Sequence, residues 1–360
     1  MHLMTRHPEE RAQRASKGGG CAVERSFEAR ASRWRLRMTT VVLAALSALA
    51  VATPAGAQEW PTRPVTVVVP FSAGGPIDLV TRLMSPRMSE VLGQQVVVEN
   101  VGGAGGMVGA NRVAKAEPDG YSVLVGNTAT HTYSQFLNKK PLYDAVADFV
   151  PSGLMVGNTK VLVVRKDLPV SSLQEFVAYA KQNQKTMQYG SAGVGSATHI
   201  ACVLLNDRMG TEITHVPYRG TGPAMQDLVA GRIDFMCDVV STALAQIRAG
   251  TVRPLALLSD ARSAVLPDLP AAPEQGLGGV AADGWNGFFF PKGTPDAIVR
   301  KLARATNEAL NTPAVKQRIE ELGLEIPPDE QRGPDYLAKL VKIELEKWGP
   351  PIKASGITVN

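Results

Sequence analysis

The feature that most constrains the fold is an alternation of short β-branched runs with helical stretches from residue 58 onward. The runs VTVVV, QVVVEN and YSVLVG are separated by residues 78–92 and 107–116, whose apolar side chains recur at helical spacing. The alternation continues through MQYGS, THVPY and IDFMCDV, and the chain beyond Thr294 is mostly helical in pattern. Such βα alternation predicts parallel sheets with helices on both faces.

The first 57 residues predict an export signal rather than a part of the fold. Residues 39–52 form a short apolar run after the basic stretch RWRLR, and Ala55-Gly56-Ala57 gives the small-x-small pattern that signal peptidase cuts. We therefore expect cleavage before Gln58. The run is shorter than the stretch of about 18 residues that a membrane-spanning helix needs. Residues 1–37 either form a long n-region or precede the start codon that is used.

Loss of the export segment leaves a chain without net charge. Residues 1–57 hold nine of the 38 basic and four of the 33 acidic residues, so residues 58–360 carry 29 of each. The formal net charge of +5 therefore belongs to the export segment. A neutral mature chain gives no electrostatic footprint for nucleic acid, and we expect no such partner.

Two cysteines, Cys202 and Cys237, lie beyond the cleavage site. Each stands in an apolar segment, which favours two buried thiols. The oxidising compartment of an exported protein leaves a disulfide open as the alternative.

Four glycine-rich turns each follow a predicted strand and precede a predicted helix. They are PFSAGG, NVGGAGG, GSAGVGS and YRGTGPA. In open α/β sheets, ligands bind beyond the carboxyl ends of the strands, where such turns expose backbone N–H groups and helix N-termini. Together the four turns predict a surface that binds a small anion.

The turns do not match the motifs of nucleotide sites. NVGGAGGMVG lacks the G-x-G-x-x-G spacing, and no turn ends in Gly-Lys-Ser/Thr. His131, His199 and His215 have no ligand-like spacing, so we expect neither a metal nor a nucleotide cofactor. A hydrolase that uses Ser191 or Ser196 with His199 stays an alternative. GSAGVGS is not the G-x-S-x-G elbow, however, and the sequence places no acid to orient the histidine.

Five segments, in chain order, are similar to segments of the Bug family, the extracytoplasmic solute receptors of tripartite tricarboxylate transporters. They are PFSAGGPIDLVTR, ENVGGAGGMVGANRVAKAEPDGYSVLVG, MQYGSAGVGSATH, HVPYRGTGPAMQDLVAGRIDFM and GWNGFFFPKGTP. The resemblance covers nearly all of residues 58–360. The chain departs from the family pattern at Val101-Gly102 and at Pro76, both in turns of the expected cleft.

The resemblance implies an α/β fold of the type 2 periplasmic binding protein, with two α/β lobes joined by two crossover segments around a ligand cleft. Lobe 1 would comprise residues 58–157 and 278–360, and lobe 2 residues 158–277, with crossings near Gly157 and near residues 278–285. It further implies a monomeric periplasmic protein, not an enzyme. That protein would capture a small mono-, di- or tricarboxylate and deliver it to the membrane subunits of the transporter. A receptor that reports to a membrane sensor kinase is the alternative that the resemblance leaves open.

The resemblance also implies the ligand-binding residues. Backbone N–H groups of the PFSAGG turn would face a carboxylate, and Asp78 would brace the turn without touching the anion, which it would repel. Hydroxyl groups, further glycines and aromatic walls would complete the site. The full set is Phe71, Ser72, Ala73, Gly74, Gly75, Asp78, Thr128, His131, Ser191, Gly193, Gly195, Ser196 and Tyr218. A packing role is equally open for His131 and His199, and Trp285 is expected in the core.

The exported protein is expected to begin at Gln58, because the apolar run and the Ala55-Gly56-Ala57 pattern position the cut there. Amino-terminal sequencing of the protein from a periplasmic fraction checks this. A mature chain that retains residues 1–57 would contradict it.

Overall fold

The structure of the protein is a computed structural model that describes residues 59–354. The predicted export segment and its cleavage site before Gln58 lie outside the described residues. The compact unit of the chain begins at Trp60, and the fold below is the fold of that unit. Within the described part of the chain, no helix is long and apolar enough to cross a membrane.

The β-strands form two sheets. The strands are β1 (Val65–Val69), β2 (Val96–Asn100), β3 (Ser122–Asn127), β4 (Phe149–Asn158), β5 (Lys160–Arg165), β6 (Gln188–Ser191), β7 (Thr214–Pro217), β8 (Phe235–Val239), β9 (Val252–Leu257), β10 (Gly284–Pro291) and β11 (Leu324–Glu325). The strand order is β11-β4-β10-β3-β1-β2 in the first sheet and β7-β6-β8-β5-β9 in the second.

The α-helices connect and cover these strands. They are α1 (Pro76–Leu92), α2 (Met107–Ala114), α3 (Ser134–Leu137), α4 (Leu173–Asn183), α5 (Ala197–Met209), α6 (Thr221–Val229), α7 (Val240–Arg248), α8 (Asp296–Leu310), α9 (Pro313–Glu321) and α10 (Pro334–Ala354). A short π-helical turn, Ala129–Tyr133, precedes α3.

Both sheets are mixed, whereas the βα alternation predicts parallel sheets. β1 runs parallel to β2 and β3, and β6 runs parallel to β7 and β8. β10 is antiparallel to β3 and β4, and β5 is antiparallel to β8 and β9. The antiparallel strands are the ones that the chain enters from the other sheet, without the helical crossover that parallel neighbours require.

The chain crosses between the sheets at two places. β4 ends at Asn158 in the first sheet and β5 begins at Lys160 in the second, so a single residue, Thr159, separates them. The return runs between Leu257, the end of β9, and Gly284, the start of β10. The architecture is thus two α/β lobes joined by two crossover segments, as the resemblance implies. The residue bounds given above for the lobes stay a prediction.

Helices bury both faces of the first sheet. Val67 of β1 shares one hydrophobic cluster with Val80 of α1 and Leu302 of α8. Val68, which points to the opposite face, shares another cluster with Leu337 of α10. A strand buried on both faces needs apolar residues at successive positions, which explains the continuous run VTVVV.

Cys202 and Cys237 form a disulfide, so the expectation of two buried thiols is wrong. Cys202 lies on α5 and Cys237 on β8, in the hydrophobic core of lobe 2. The packing of α5 on β8 brings their Cα atoms to 5.4 Å, within the range that a disulfide spans. An apolar segment indicates burial, but it does not separate a thiol from a bridge between two buried elements.

Removal of this bridge by the double substitution Cys202→Ala/Cys237→Ala should lower the free energy of unfolding by about 2–4 kcal/mol, because the bridge restricts the unfolded chain. Urea denaturation of the two proteins measures the difference. A reducing agent should destabilise the wild type by a similar amount and leave the double variant unchanged. A wild type whose stability does not respond to the reducing agent would show that no bridge forms.

Candidate functional site

A cavity of about 40 Å³ lies between the two lobes, where β1, β3 and β6 end. Lobe 1 lines it with Phe71, residues 75–78, Asn127 and Thr128. Lobe 2 lines it with Ala192, residues 196–198, Thr221 and Val239. Asn158, Lys160 and residues 284–286 line it where the chain crosses between the lobes. This position beyond the carboxyl ends of strands is where α/β sheets bind ligands.

Two long helices from opposite lobes begin at the cavity. The 17-residue helix α1 follows Gly75, which offers no side-chain cap. The 13-residue helix α5 follows Ser196, whose hydroxyl accepts a hydrogen bond from the His199 backbone N–H at 3.2 Å. The first turn of a helix carries N–H groups without intrahelical partners and a partial positive charge. The cavity therefore favours negative charge from both lobes.

Asp78 is buried at the start of α1 and holds the PFSAGG turn. Its carboxylate accepts hydrogen bonds from the Gly74 N–H (3.0 Å), Arg82 Nε (2.9 Å) and Asn100 Nδ2 (2.9 Å). Burial by itself would raise the pKa of the Asp78 carboxyl. The hydrogen bonds from Arg82, Gly74 and Asn100 outweigh burial and hold that pKa below its usual value. Asp78 thus stays ionised, paired with Arg82, and braces the turn as its position predicts.

Two N–H groups of the PFSAGG turn, which is predicted to bind the ligand, have hydrogen-bond partners within the protein. The Ser72 N–H donates to the Arg219 carbonyl at 3.0 Å, and the Gly74 N–H donates to Asp78. Ala73 and Gly74 line a second depression. Of the four residues, Gly75 alone lines the cavity.

The glycine turns meet in pairs across the cleft instead of forming one anion-binding surface. A Cβ on Gly105 would overlap the Val194 carbonyl oxygen, and a Cβ on Gly220 would overlap the Ser72 hydroxyl. A Cβ on Gly193 would lie 3.4 Å from the Gly105 nitrogen. We call these approaches, Gly105 to residues 193–195 and Ser72 to residues 219–220, the closure contact. Here glycine allows two backbones to approach closely.

Four of the predicted ligand-binding residues lie in lobe 2 outside the cavity lining. The Ser191 hydroxyl contacts His215 Nε2 at 2.6 Å. Gly193 belongs to the closure contact, and the Gly195 N–H donates to the His199 ring at 3.2 Å. The Tyr218 hydroxyl donates to Asp227 at 2.8 Å. Of the GSAGVGS turn's predicted residues, Ser196 is the one that reaches the cavity.

His131, one of the predicted ligand-binding residues, packs in the core of lobe 1 outside the cavity lining. Its ring is fully buried and stacks on Phe289 with 3.7 Å between the ring centroids. Burial lowers the pKa of His131 to about 3, which keeps the imidazole neutral. The residues after Thr128 form a π-helical turn, wider than an α-helix, so a residue three positions later does not share its face. Thr128 lines the cavity while His131 turns away from it.

The Ser191 hydroxyl contacts His215, and the Ser196 hydroxyl accepts a hydrogen bond from the His199 backbone N–H. Ser191 pairs with His215 rather than with His199, and its side chain is fully buried outside the cavity lining. Burial lowers the pKa of His199 to about 4 and that of His215 to about 3. In the described part of the chain, no cluster of three or more His, Cys, Asp or Glu side chains could hold a metal ion.

The structure adds cavity residues that the sequence reading missed. Burial lowers the pKa of Lys160, at the head of β5, to about 8. Two buried polar atoms of the lining, Thr221 Oγ1 and Trp285 Nε1, have no hydrogen-bond partner among the described residues. Trp285 also packs in the core, as expected. The sequence does contain one indication of Lys160. This residue begins the otherwise apolar run KVLVV, and a lysine in a buried strand is rare unless it has a partner.

Comparison with known proteins shows the family to which this chain is related. The family model described as "Tripartite tricarboxylate transporter family receptor" matches residues 80–357. The solved structure of the periplasmic binding protein BugD is 37% identical with a TM-score of 0.81, and the match covers 83% of this chain and 99% of that chain.

Two further structures come from Rhodopseudomonas palustris. MatC with bound malate is 41% identical with a TM-score of 0.80, and the match covers 81% of this chain and all (100%) of that chain. A protein solved with adipate is 33% identical with a TM-score of 0.79, over 83% of this chain and 99% of that chain. The chain therefore belongs to the tripartite tricarboxylate transporter receptor family, the Bug family that its segments resemble, and has the type 2 periplasmic binding protein fold.

Proposed function

We propose that this chain is a periplasmic solute-binding protein that captures a small carboxylate between its lobes and delivers it to a tripartite tricarboxylate transporter. Export would remove residues 1–57 with cleavage before Gln58. Lobe 1 would comprise residues 58–157 and 278–360, and lobe 2 residues 158–277. The mature protein would act as a monomer and without a cofactor.

The observation that carries this proposal is the meeting of α1 and α5 at one buried cavity. Their N-termini come from opposite lobes, so an anion between them gains from both only when the lobes are together. The unpartnered Thr221 hydroxyl and Trp285 indole N–H support a polar ligand, because buried donors are normally hydrogen-bonded. The malate and adipate in the two relatives support a carboxylate.

The residues that would contact the ligand form a smaller set than the sequence predicts. From the original set, Phe71, Gly75, Asp78, Thr128 and Ser196 line the cavity. Asp78 would hold the turn, and the glycines of the closure contact would let the lobes approach. The function thus divides between residues that touch the ligand and residues that let the cleft close over it.

The purified mature protein should bind at least one small carboxylate without added metal or nucleotide, because backbone donors and hydroxyls line the cavity. A thermal-shift screen against acetate, succinate, malate, adipate and citrate, followed by calorimetry, measures this. A ligand at a hundred times its Kd should raise the free energy of unfolding by about 2.7 kcal/mol.

Dimethyl succinate is the matched control for this screen, because it has the carbon skeleton of succinate without its charges. Equal binding of the diester, or carboxylate binding that requires zinc or a nucleotide, would contradict the proposal. Delivery is tested by uptake of the labelled ligand, which should fall when the gene is deleted from its host. Uptake that is unaffected by the deletion would contradict the transport role.

Gly105→Ala should weaken binding of that carboxylate at least about tenfold, because the added Cβ would overlap the Val194 carbonyl and hold the lobes apart. When the population of the closed state falls tenfold, the apparent Kd rises tenfold. Calorimetry measures the affinity, and circular dichroism verifies that both lobes are folded.

Gly250→Ala is the matched control, because Gly250 also has a positive φ (64° against 63° at Gly105) but no atom within 4 Å of the added Cβ. Both variants carry the same backbone strain, and only Gly105→Ala alters the closure contact. Equal affinities in the two variants would show that the closure contact does not contribute to binding.

A further inference from the structure

Lys160 is the one lysine that is buried among residues 59–354. Its side chain is 1% exposed, and it lines the cavity at the first crossing between the lobes. A buried ammonium is costly unless a carboxylate or several acceptors compensate it. A buried ammonium at this position therefore requires an anion or hydrogen-bond acceptors to compensate its charge.

The described residues give the Lys160 ammonium little compensation. An ammonium has three N–H donors, and the Asn158 side-chain oxygen accepts one of them at 2.7 Å. No carboxylate of the described residues lies within 4.0 Å of Nζ. Asp238, the carboxylate on the strand beside it, is already bonded to the Val239 N–H (2.7 Å) and the Thr242 hydroxyl (2.9 Å).

Charges farther away keep the ammonium protonated at neutral pH. Burial lowers the pKa of Lys160 to about 8, and the more distant carboxylates of Asp283, Glu344 and Asp238 oppose a larger fall. Lys160 therefore presents a cation, with two donors to spare, inside a cavity whose other ionised group, the Asp78 carboxylate, is already paired with Arg82.

Because Gly284 has no side chain, the space in front of the Lys160 ammonium is open. A Cβ on Gly284 would lie 2.6 Å from Lys160 Nζ, 3.1 Å from the Thr128 hydroxyl and 3.2 Å from the Asn158 side-chain oxygen. Three polar groups thus converge on one side of a residue that has no side chain. Any larger residue at this position would fill that space and push the ammonium away.

We propose that the Lys160 ammonium is the direct charge partner of one carboxylate of the ligand, with the Thr128 hydroxyl as a second donor to it. This inference rests on the proposed function and gives it a specific chemistry. The helix N-termini of α1 and α5 provide a second place for negative charge in the same cavity. The ligand class is therefore a short dicarboxylate, with one carboxylate at the crossing and the other at the helix ends.

Lys160→Met tests the proposal, because methionine keeps an unbranched side chain and removes the charge. The affinity for succinate, malate or adipate, whichever binds the wild type, should fall about 10- to 150-fold, the range for a lost hydrogen bond to a charged group. Lys166→Met is the matched control, because Lys166 is exposed just beyond β5 and the change in net charge is the same. An unchanged affinity in Lys160→Met would overturn the proposal.

Succinamate, in which an amide replaces one carboxylate of succinate, separates direct charge pairing from a general disturbance of the cleft. The wild type should prefer succinate over succinamate about tenfold or more, and Lys160→Met should lose that preference. Gly284→Ala should weaken succinate binding more in the wild type than in the Lys160→Met background, where the effect on the Thr128 hydroxyl remains. A preference for succinate that persists in Lys160→Met would overturn the assignment.

The ligand-free protein gives a readout that does not depend on the choice of probe. Lys160→Met should unfold at the same or a higher temperature than the wild type, because it removes a buried charge that lacks an ionic partner. A lower unfolding temperature, with Lys166→Met unchanged, would mean that the protein itself already compensates the ammonium, and would overturn the proposal. If no carboxylate binds the wild type, the proposed function fails, and this measurement still decides whether the ammonium is uncompensated.

Discussion

The close approach of backbone to backbone between the lobes is the constraint on which the rest of the structure depends. The closure contact works because Gly105, Gly193 and Gly220 have no Cβ at the points where the two lobes meet. That approach brings the N-termini of α1 and α5 to one cavity and buries the side chains between them. The cavity is therefore a product of the paired lobes, and neither lobe contains it alone.

The sequence predicted the elements well, because their local chemistry is self-consistent. VTVVV is a strand buried on both faces, and Ser172 caps α4 by accepting a hydrogen bond from the Glu175 N–H. The site was predicted less well. A glycine-rich turn indicates that another group approaches its backbone closely. The sequence does not show whether that group is a ligand or the backbone of the opposite lobe. For His131, the sequence did not reveal the π-helical turn in which it lies. Lys160 was missed because its role depends on Asn158 and Gly284, which come together only through strand pairing.

The charge distribution inside the cleft cannot be read from the overall composition of the chain. A chain with equal numbers of acids and bases beyond residue 57 gives no hint of an anion site. In the structure, Arg82 pairs with Asp78, and burial keeps His131, His199 and His215 neutral at pH 7. What remains inside the cavity is one ammonium and two helix ends. The proposed specificity for an anion would therefore arise from the charges that are left without a partner, not from the number of charges in the chain.

The single-residue crossing at Thr159 also has a mechanical consequence. Asn158 pairs with Gly284 at the start of β10, so both crossings meet at one pair of strands, next to Lys160. A rotation of one lobe about this junction moves atoms in proportion to their distance from it. Groups beside the junction would keep nearly the same mutual distances during the rotation. Atoms at the rims of the cleft would move farthest. A ligand bound beside this junction would keep its contacts there while the lobes close. Binding near the junction would therefore precede closure of the cleft rims.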